Sequence, residues 1–112
     1  DISANPGELM AAAHARSFSM KLSADLTEAG FAPEMLETKC DIILVNGIIT
    51  KSELSVMAKV TGISKEEFQE IAKNAIQNCP VSKALNLKIK LKTTLENNPE
   101  LINRLLNDGI AY

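Results

Sequence analysis

Apolar positions recur along this 112-residue chain with two different periods, and the changes of period divide it into elements. From Asn5 to Gly30 the spacing is helical. Ala11, Ala15, Phe18, Leu22, Leu26 and Ala29 fall on one stripe. Asn5 is a capping residue, Pro6 suits the first helical position, and Glu8 stands three places after the cap, as in a capping box. Gly30 is a natural stop. The pattern predicts a helix of about 24 residues, roughly 36 Å long. Its first half, Leu9 to Ala15, is apolar almost all round, which predicts burial on most sides. His14, Ser17, Lys21, Asp25 and Glu28 are expected along the opposite face.

The period then drops to two. Leu36, Thr38, Cys40, Ile42 and Leu44 alternate with Glu37, Lys39, Asp41, Ile43 and Val45. Asn46-Gly47 marks a two-residue hairpin turn. The return strand sets Ile48, Thr50, Ser52, Leu54, Val56, Ala58 and Val60 on one face. After Gly62, the run Ser64-Lys65-Glu66-Glu67 is a second capping box. It opens a helix that carries Phe68, Ile71, Ala72, Ala75 and Ile76 on one side and ends near Asn78. Cys79-Pro80 begins a short helical turn. Leu85, Leu87, Ile89, Leu91, Thr93 and Leu95 then face away from Lys88, Lys90 and Lys92, which predicts a third strand with a solvated lysine face guarding an edge. Asn98, Pro99 and Gly109 delimit a terminal helical extension, residues 98–109, expected to cover apolar surface or, as the alternative, to contact a partner. The fold expected for residues 1–112 is a single α+β domain, with a long central helix and a second helix packed on a mostly antiparallel sheet.

Composition narrows the function. Hydrophobic residues make up 46% and charged residues 23%, a globular balance. A net charge of −2 and 4% aromatic residues speak against nucleic acid, which calls for a basic face or stacking rings. No apolar run approaches the roughly 20 residues of a membrane span. One His and two distant Cys make no zinc site, and no cofactor is expected. Cys40 and Cys79 are too few for a disulfide scaffold, so a cytoplasmic location is the expectation.

Two motifs carry the chemistry. The first is Asn5-Pro6-Gly7-Glu8 with Ala12-Ala13-His14-Ala15-Arg16-Ser17-Phe18-Ser19-Met20; the second is Asn78-Cys79-Pro80-Val81-Ser82. Together they resemble the osmotically inducible protein C and organic hydroperoxide resistance (OsmC/Ohr) family of thiol peroxidases, over about residues 4 to 95. The resemblance implies an intertwined homodimer acting on organic hydroperoxides with a dithiol reductant. It assigns the peroxide-attacking cysteine position to Ser17 and the resolving cysteine to Cys79. The family's acid position falls on Gly7. Glu8 matches a residue that is Glu or Gln in the family and is a weaker site candidate. Family members also carry N-terminal strands that supply an activating arginine, and no part of this chain can be matched to them.

A serine hydroxyl cannot replace the thiolate that attacks a peroxide and climbs to sulfenic acid. The expected function is therefore an OsmC-like relative of the hydroperoxide reductases of oxidative stress defence, with impaired peroxide chemistry. The alternative is a non-catalytic dimeric module that binds an apolar small molecule. A Ser17–His14 hydrolase pair is a third idea, since the two residues are three apart on one helix, but no third residue, oxyanion turn or Gly-x-Ser-x-Gly elbow accompanies it. Cys79 reads either as a reactive thiol at a helix N-terminus or as a buried apolar residue. Cys40 reads as core.

Overall fold

A computed structural model describes residues 5–96, arranged as α1 (Pro6–Glu28), β1 (Met35–Val45), β2 (Ile48–Lys59), α2 (Lys65–Asn78), α3 (Pro80–Ala84) and β3 (Lys88–Leu95). The expected extension at 98–109 lies outside the described residues. Both N-caps form, each through the cap side chain accepting from the N3 backbone N–H. The Glu8 N–H donates to the Asn5 side chain at 2.8 Å, and the Asn5 amide donates back to the Glu8 carboxylate at 2.8 Å. The Glu67 N–H donates to Ser64 at 3.1 Å. Asn46 and Gly47 both take positive φ, 54° and 78°, as a two-residue turn that matches strand twist requires.

The three strands lie in the order β1-β2-β3. β1 and β2 pair antiparallel from Val45↔Ile48 to Met35↔Lys59, with an irregularity between Ile43 and Leu44. β2 and β3 pair in parallel, from Lys51↔Lys88 to Ala58↔Leu95. The sheet is therefore mixed, where the alternation had suggested a mostly antiparallel one. The cause is the connection: α2 and α3 carry the chain back across the sheet before β3 begins, and so long a crossover returns a strand in the same direction. β3 also starts at Lys88, three residues later than its apolar alternation, because Leu85 closes α3. Lys88, Lys90 and Lys92 are exposed on the far face, as expected.

The helices cover one face of the sheet. Phe18, Leu22 and Leu26 of α1 meet Leu54, Val56 and Ala58 of β2, and Phe68, Ala72, Ala75 and Ile76 of α2 close the core with Leu95. The first half of α1 departs from expectation. Leu9 is 60% exposed, Ala12 and Ala13 are also open, and beyond this half Met20 is 62% exposed. One domain offers this helix a single sheet face to bury against, so its apolar far side stands uncovered in a lone chain.

Candidate functional site

Along α1, residues 14, 18, 22 and 26 are four apart, and all four are fully buried. The first of them is His14. Its imidazole is turned inward rather than to the polar side of the helix, because the i, i+4 series it shares with Phe18, Leu22 and Leu26 is the buried one. Two hydroxyls meet the ring. Ser52 Oγ of β2 lies 2.7 Å from Nδ1, and Ser82 Oγ of α3 lies 2.8 Å from Nε2. Each serine reaches on to a sulfur: Cys40 Sγ is 3.1 Å from Ser52 Oγ, and Cys79 Sγ is 3.0 Å from Ser82 Oγ. The result is one chain of four hydrogen bonds, Cys40–Ser52–His14–Ser82–Cys79, joining both cysteines of the protein.

Electrostatics keep this chain neutral. Burial holds the His14 imidazole below its ordinary range, so the ring carries one N–H and one bare nitrogen. A neutral imidazole gives the chain a direction. With Nε2 bare, the Cys79 thiol donates to Ser82 and Ser82 donates to His14, while Nδ1–H donates to Ser52 and Ser52 donates to Cys40. With Nδ1 bare, every bond reverses. Burial pushes the half-buried Cys40 thiol up; the hydrogen bond with Ser52 opposes this, and the Asp41 carboxylate adds to it.

Ser17 is half-buried one helical turn away and accepts a hydrogen bond from the Val81 N–H at 3.4 Å. It lines a groove of about 520 Å³ with Ala13, Arg16, Met20, Lys21 and Pro80. The first motif is thus brought against the second, since Val81 is two residues past Cys79. Ser17 and His14 form no pair, because both ring nitrogens are already engaged by other serines, and the Ser17–His14 hydrolase idea is dropped on that ground. Cys79 is fully buried ahead of α3, which is only five residues long. Glu8 is exposed, with its carboxylate held by Asn5 in the cap. A Cβ added at Gly7 would lie 3.3 Å from Asn5 Oδ1 and 3.7 Å from Leu44 Cδ1. No cluster of three His, Cys, Asp or Glu side chains among the described residues could hold a metal ion, and no helix among them is long and apolar enough to cross a membrane.

The sequence reading missed Ser52 and Ser82 as members of a site. A signal existed for Ser52, a hydroxyl that continues, with Thr50, a strand face otherwise made of Ile48, Leu54, Val56 and Ala58. Ser82 closes the second motif, but no spacing rule links it to His14, which lies 68 residues away.

Comparison with known proteins gives one consistent picture. A family model described as "OsmC-like protein" matches residues 1–94. The peroxiredoxin OsmC of Escherichia coli K12 is 42% identical over 96 residues, which cover 82% of this chain and 67% of the relative. An organic hydroperoxide resistance protein from Elizabethkingia anophelis superposes with a TM-score of 0.64 at 29% identity, covering 88% of this chain and 71% of its own. An OsmC-like protein from Mycoplasma pneumoniae reaches a TM-score of 0.73 at 15% identity, with 81% and 71% covered, and so speaks to the fold alone.

Proposed function

The chain belongs to the OsmC-like family, and from that premise we propose that it is a relative of the thiol-dependent hydroperoxide reductases in which the peroxide-attacking step does not run. One observation carries this reading. Residue 17, which corresponds to the family's peroxide-attacking cysteine, offers an oxygen engaged by the Val81 N–H. Attack on an O–O bond needs a polarisable, readily ionised nucleophile that can hold the transferred oxygen, and a serine hydroxyl is neither. Gly7 supports the reading, because the family's acid position has no carboxyl group here. The test is consumption of an organic hydroperoxide by the purified chain with a dithiol reductant. Loss of peroxide no faster than for a denatured thiol control is expected; sustained turnover abolished by Cys79→Ala would overturn the proposal.

The same premise makes a second copy of the chain the partner for α1. Leu9 and Met20 of α1, with Leu44, Val45 and Ile48 at the hairpin tip, are more than half exposed. A groove of about 1150 Å³ runs between α1 and β1, lined in part by Ala12, Ala15, Met20, Ala24 and Leu36. Exposed large apolar side chains on one helix and one hairpin tip are the kind of surface a second copy would cover. Sedimentation at micromolar concentration is expected to give a dimer, and Met20→Asp to give a monomer. A monomeric parent chain would remove this part of the proposal. The alternative role, binding an apolar small molecule, is favoured only by the smaller groove at Ser17, whose apolar walls of Ala13, Met20 and Pro80 carry Arg16 and Lys21 beside them.

A further inference from the structure

Loss of sulfur at residue 17 leaves the buried chain described above without an assigned use. We propose that His14 is a positioning residue for thiol chemistry at Cys79: it accepts the Cys79 proton through the Ser82 hydroxyl, and the Ser52–Cys40 arm holds the ring from its other side. The electrophile is a small molecule bearing an electrophilic sulfur, a disulfide or a sulfenic acid. This deepens the preceding reading only in treating Cys79 as the thiol that remains in use.

Three observations support it. First, the four distances, 3.0, 2.8, 2.7 and 3.1 Å, are all hydrogen-bonding contacts, so no gap interrupts proton passage. Second, His14 is fully buried and neutral. Between two hydroxyls, a proton arriving at Nε2 leaves a cation whose Nδ1–H is already directed at Ser52. Third, the chain approaches solvent at Ser82. That residue lines a groove of about 560 Å³ between α2 and β3, together with Lys73, Gln77, Ile89 and Leu91. Cys79 is fully buried and Ser82 is 8% exposed, and the Cys79 sulfur lies 3.0 Å from the Oγ of that groove-lining residue.

The step balances within the chain and its electrophile. The Cys79 sulfur forms an S–S bond with the incoming sulfur. The thiol proton passes to Ser82 as the Ser82 proton passes to Nε2. With a sulfenic acid the S–OH bond breaks, and the departing hydroxide recovers the proton from His14 as water. With a disulfide the leaving group is a thiolate that recovers it as a thiol.

Among the described residues, the titratable groups that reach the imidazole through hydrogen bonds are the two thiols, Cys40 from β1 and Cys79 from the start of α3. β2 contributes only the Ser52 hydroxyl. α2 brings apolar Phe68, Ala72, Ala75 and Ile76 to the core. Asp41 acts on Cys40 and not on the ring directly.

The test is capture of Cys79 in the intact chain by methyl methanethiosulfonate, a small neutral electrophile, measured from about pH 4.5 to 8 so that the window below about 6.5 is covered, and followed by peptide mapping. Proton transfer by a positioned side chain contributes about 10²–10⁴-fold, and less for a thiol, which ordinarily ionises within about two pH units of neutrality unaided. Ser82→Ala and His14→Gln are each expected to slow capture at Cys79 by about tenfold at neutral pH. Ser82→Thr, which keeps a hydroxyl, is expected to stay within about twofold of the parent. The parent pH profile should bend where His14 titrates, and that bend should vanish in His14→Gln. Equal rates in parent and Ser82→Ala, faster capture in Ser82→Ala, or a Ser82→Thr variant as slow as Ser82→Ala would overturn the proposal. The last two results would assign Ser82 to packing. Because no peroxide is used, failure here leaves the reading of Ser17 standing, and turnover of peroxide by the parent chain would overturn that reading without touching this one.

Discussion

Ser17→Cys is expected to convert a chain that leaves organic hydroperoxide intact into one that consumes an equivalent within seconds and closes a disulfide with Cys79. The geometry supplies the reason. Ser17 Oγ lies 3.4 Å from the Val81 nitrogen, and Val81 is two residues beyond Cys79, so a sulfur at position 17 would stand beside the turn that carries the second thiol. A bridge between them needs Cα atoms about 4.4–6.8 Å apart, and a shift of the short α3 can provide the final approach. The chemistry needs a sulfenic acid at 17 and a thiol to condense with it, and the substitution supplies the missing half. Hydroperoxide loss is expected to be at least on the order of a hundredfold faster than in the parent chain, since it replaces a nucleophile that is not oxidised by one that is. Peptide mapping should find one new 17–79 disulfide, with Cys40 still reduced. A Ser17→Cys variant that consumes peroxide at the parent rate would show that sulfur alone was not the missing group. Adding Gly7→Glu then becomes informative. A Cβ there meets Asn5 Oδ1 at 3.3 Å, a contact relieved by a shift of a few tenths of an ångström in that side chain, so the double variant should fold.

How much of this could be read from the letters depends on what each letter encodes. The caps were legible because Asn5 with Glu8, and Ser64 with Glu67, satisfy orphan helix donors through their own side chains, a local matter. The hairpin was legible for the same reason: Asn46-Gly47 tolerates positive φ at both positions. The direction of β3 was not. Alternation tells which side chains share a face and is silent about which way the strand runs, and the parallel pairing with β2 follows from a crossover whose path is set by packing. His14 carried two readings, one on the polar face of the helix and one, from the resemblance, as a packed polar residue, and its burial agrees with the second. Its spacing from Phe18 decided the matter, and two serines from distant segments made its burial tolerable. The roles read for Ser17 and Cys79 rest on motif resemblance alone. The chain of hydrogen bonds that ends at Cys79 required the fold, since its members come from α1, β1, β2, α3 and the residue between α2 and α3.

Removing the ring of His14 is expected to produce the largest loss of stability of any single change in the site. His14→Leu keeps the volume apolar but leaves Ser52 and Ser82 facing a side chain that can neither donate nor accept. Each stranded hydroxyl costs about 1–3 kcal/mol, reduced because Cys40 and Cys79 still contact them. A net loss of about 3 kcal/mol in a denaturant titration is the expected result. The pH dependence separates this from a simple packing defect. Burial holds the folded imidazole below its unfolded value of about 6.5. Below that pH the unfolded chain binds a proton that the folded chain refuses, so stability is complete above about 6.5 and falls as pH drops toward the lowered folded value. The slope within that window is at most about 1.4 kcal/mol per pH unit. Because His14 is the one histidine of the sequence, no other imidazole can produce the slope. Between about pH 7 and 5.5 the parent chain should lose stability steadily, while His14→Leu, already weaker, should lose less over the same interval. Parallel curves would mean that the folded ring takes up a proton as readily as the unfolded one. A doubly protonated ring donates from both nitrogens. Ser82 would then have no base to pass its proton to, and the direction of the Cys40–Cys79 chain would no longer be set by a neutral imidazole.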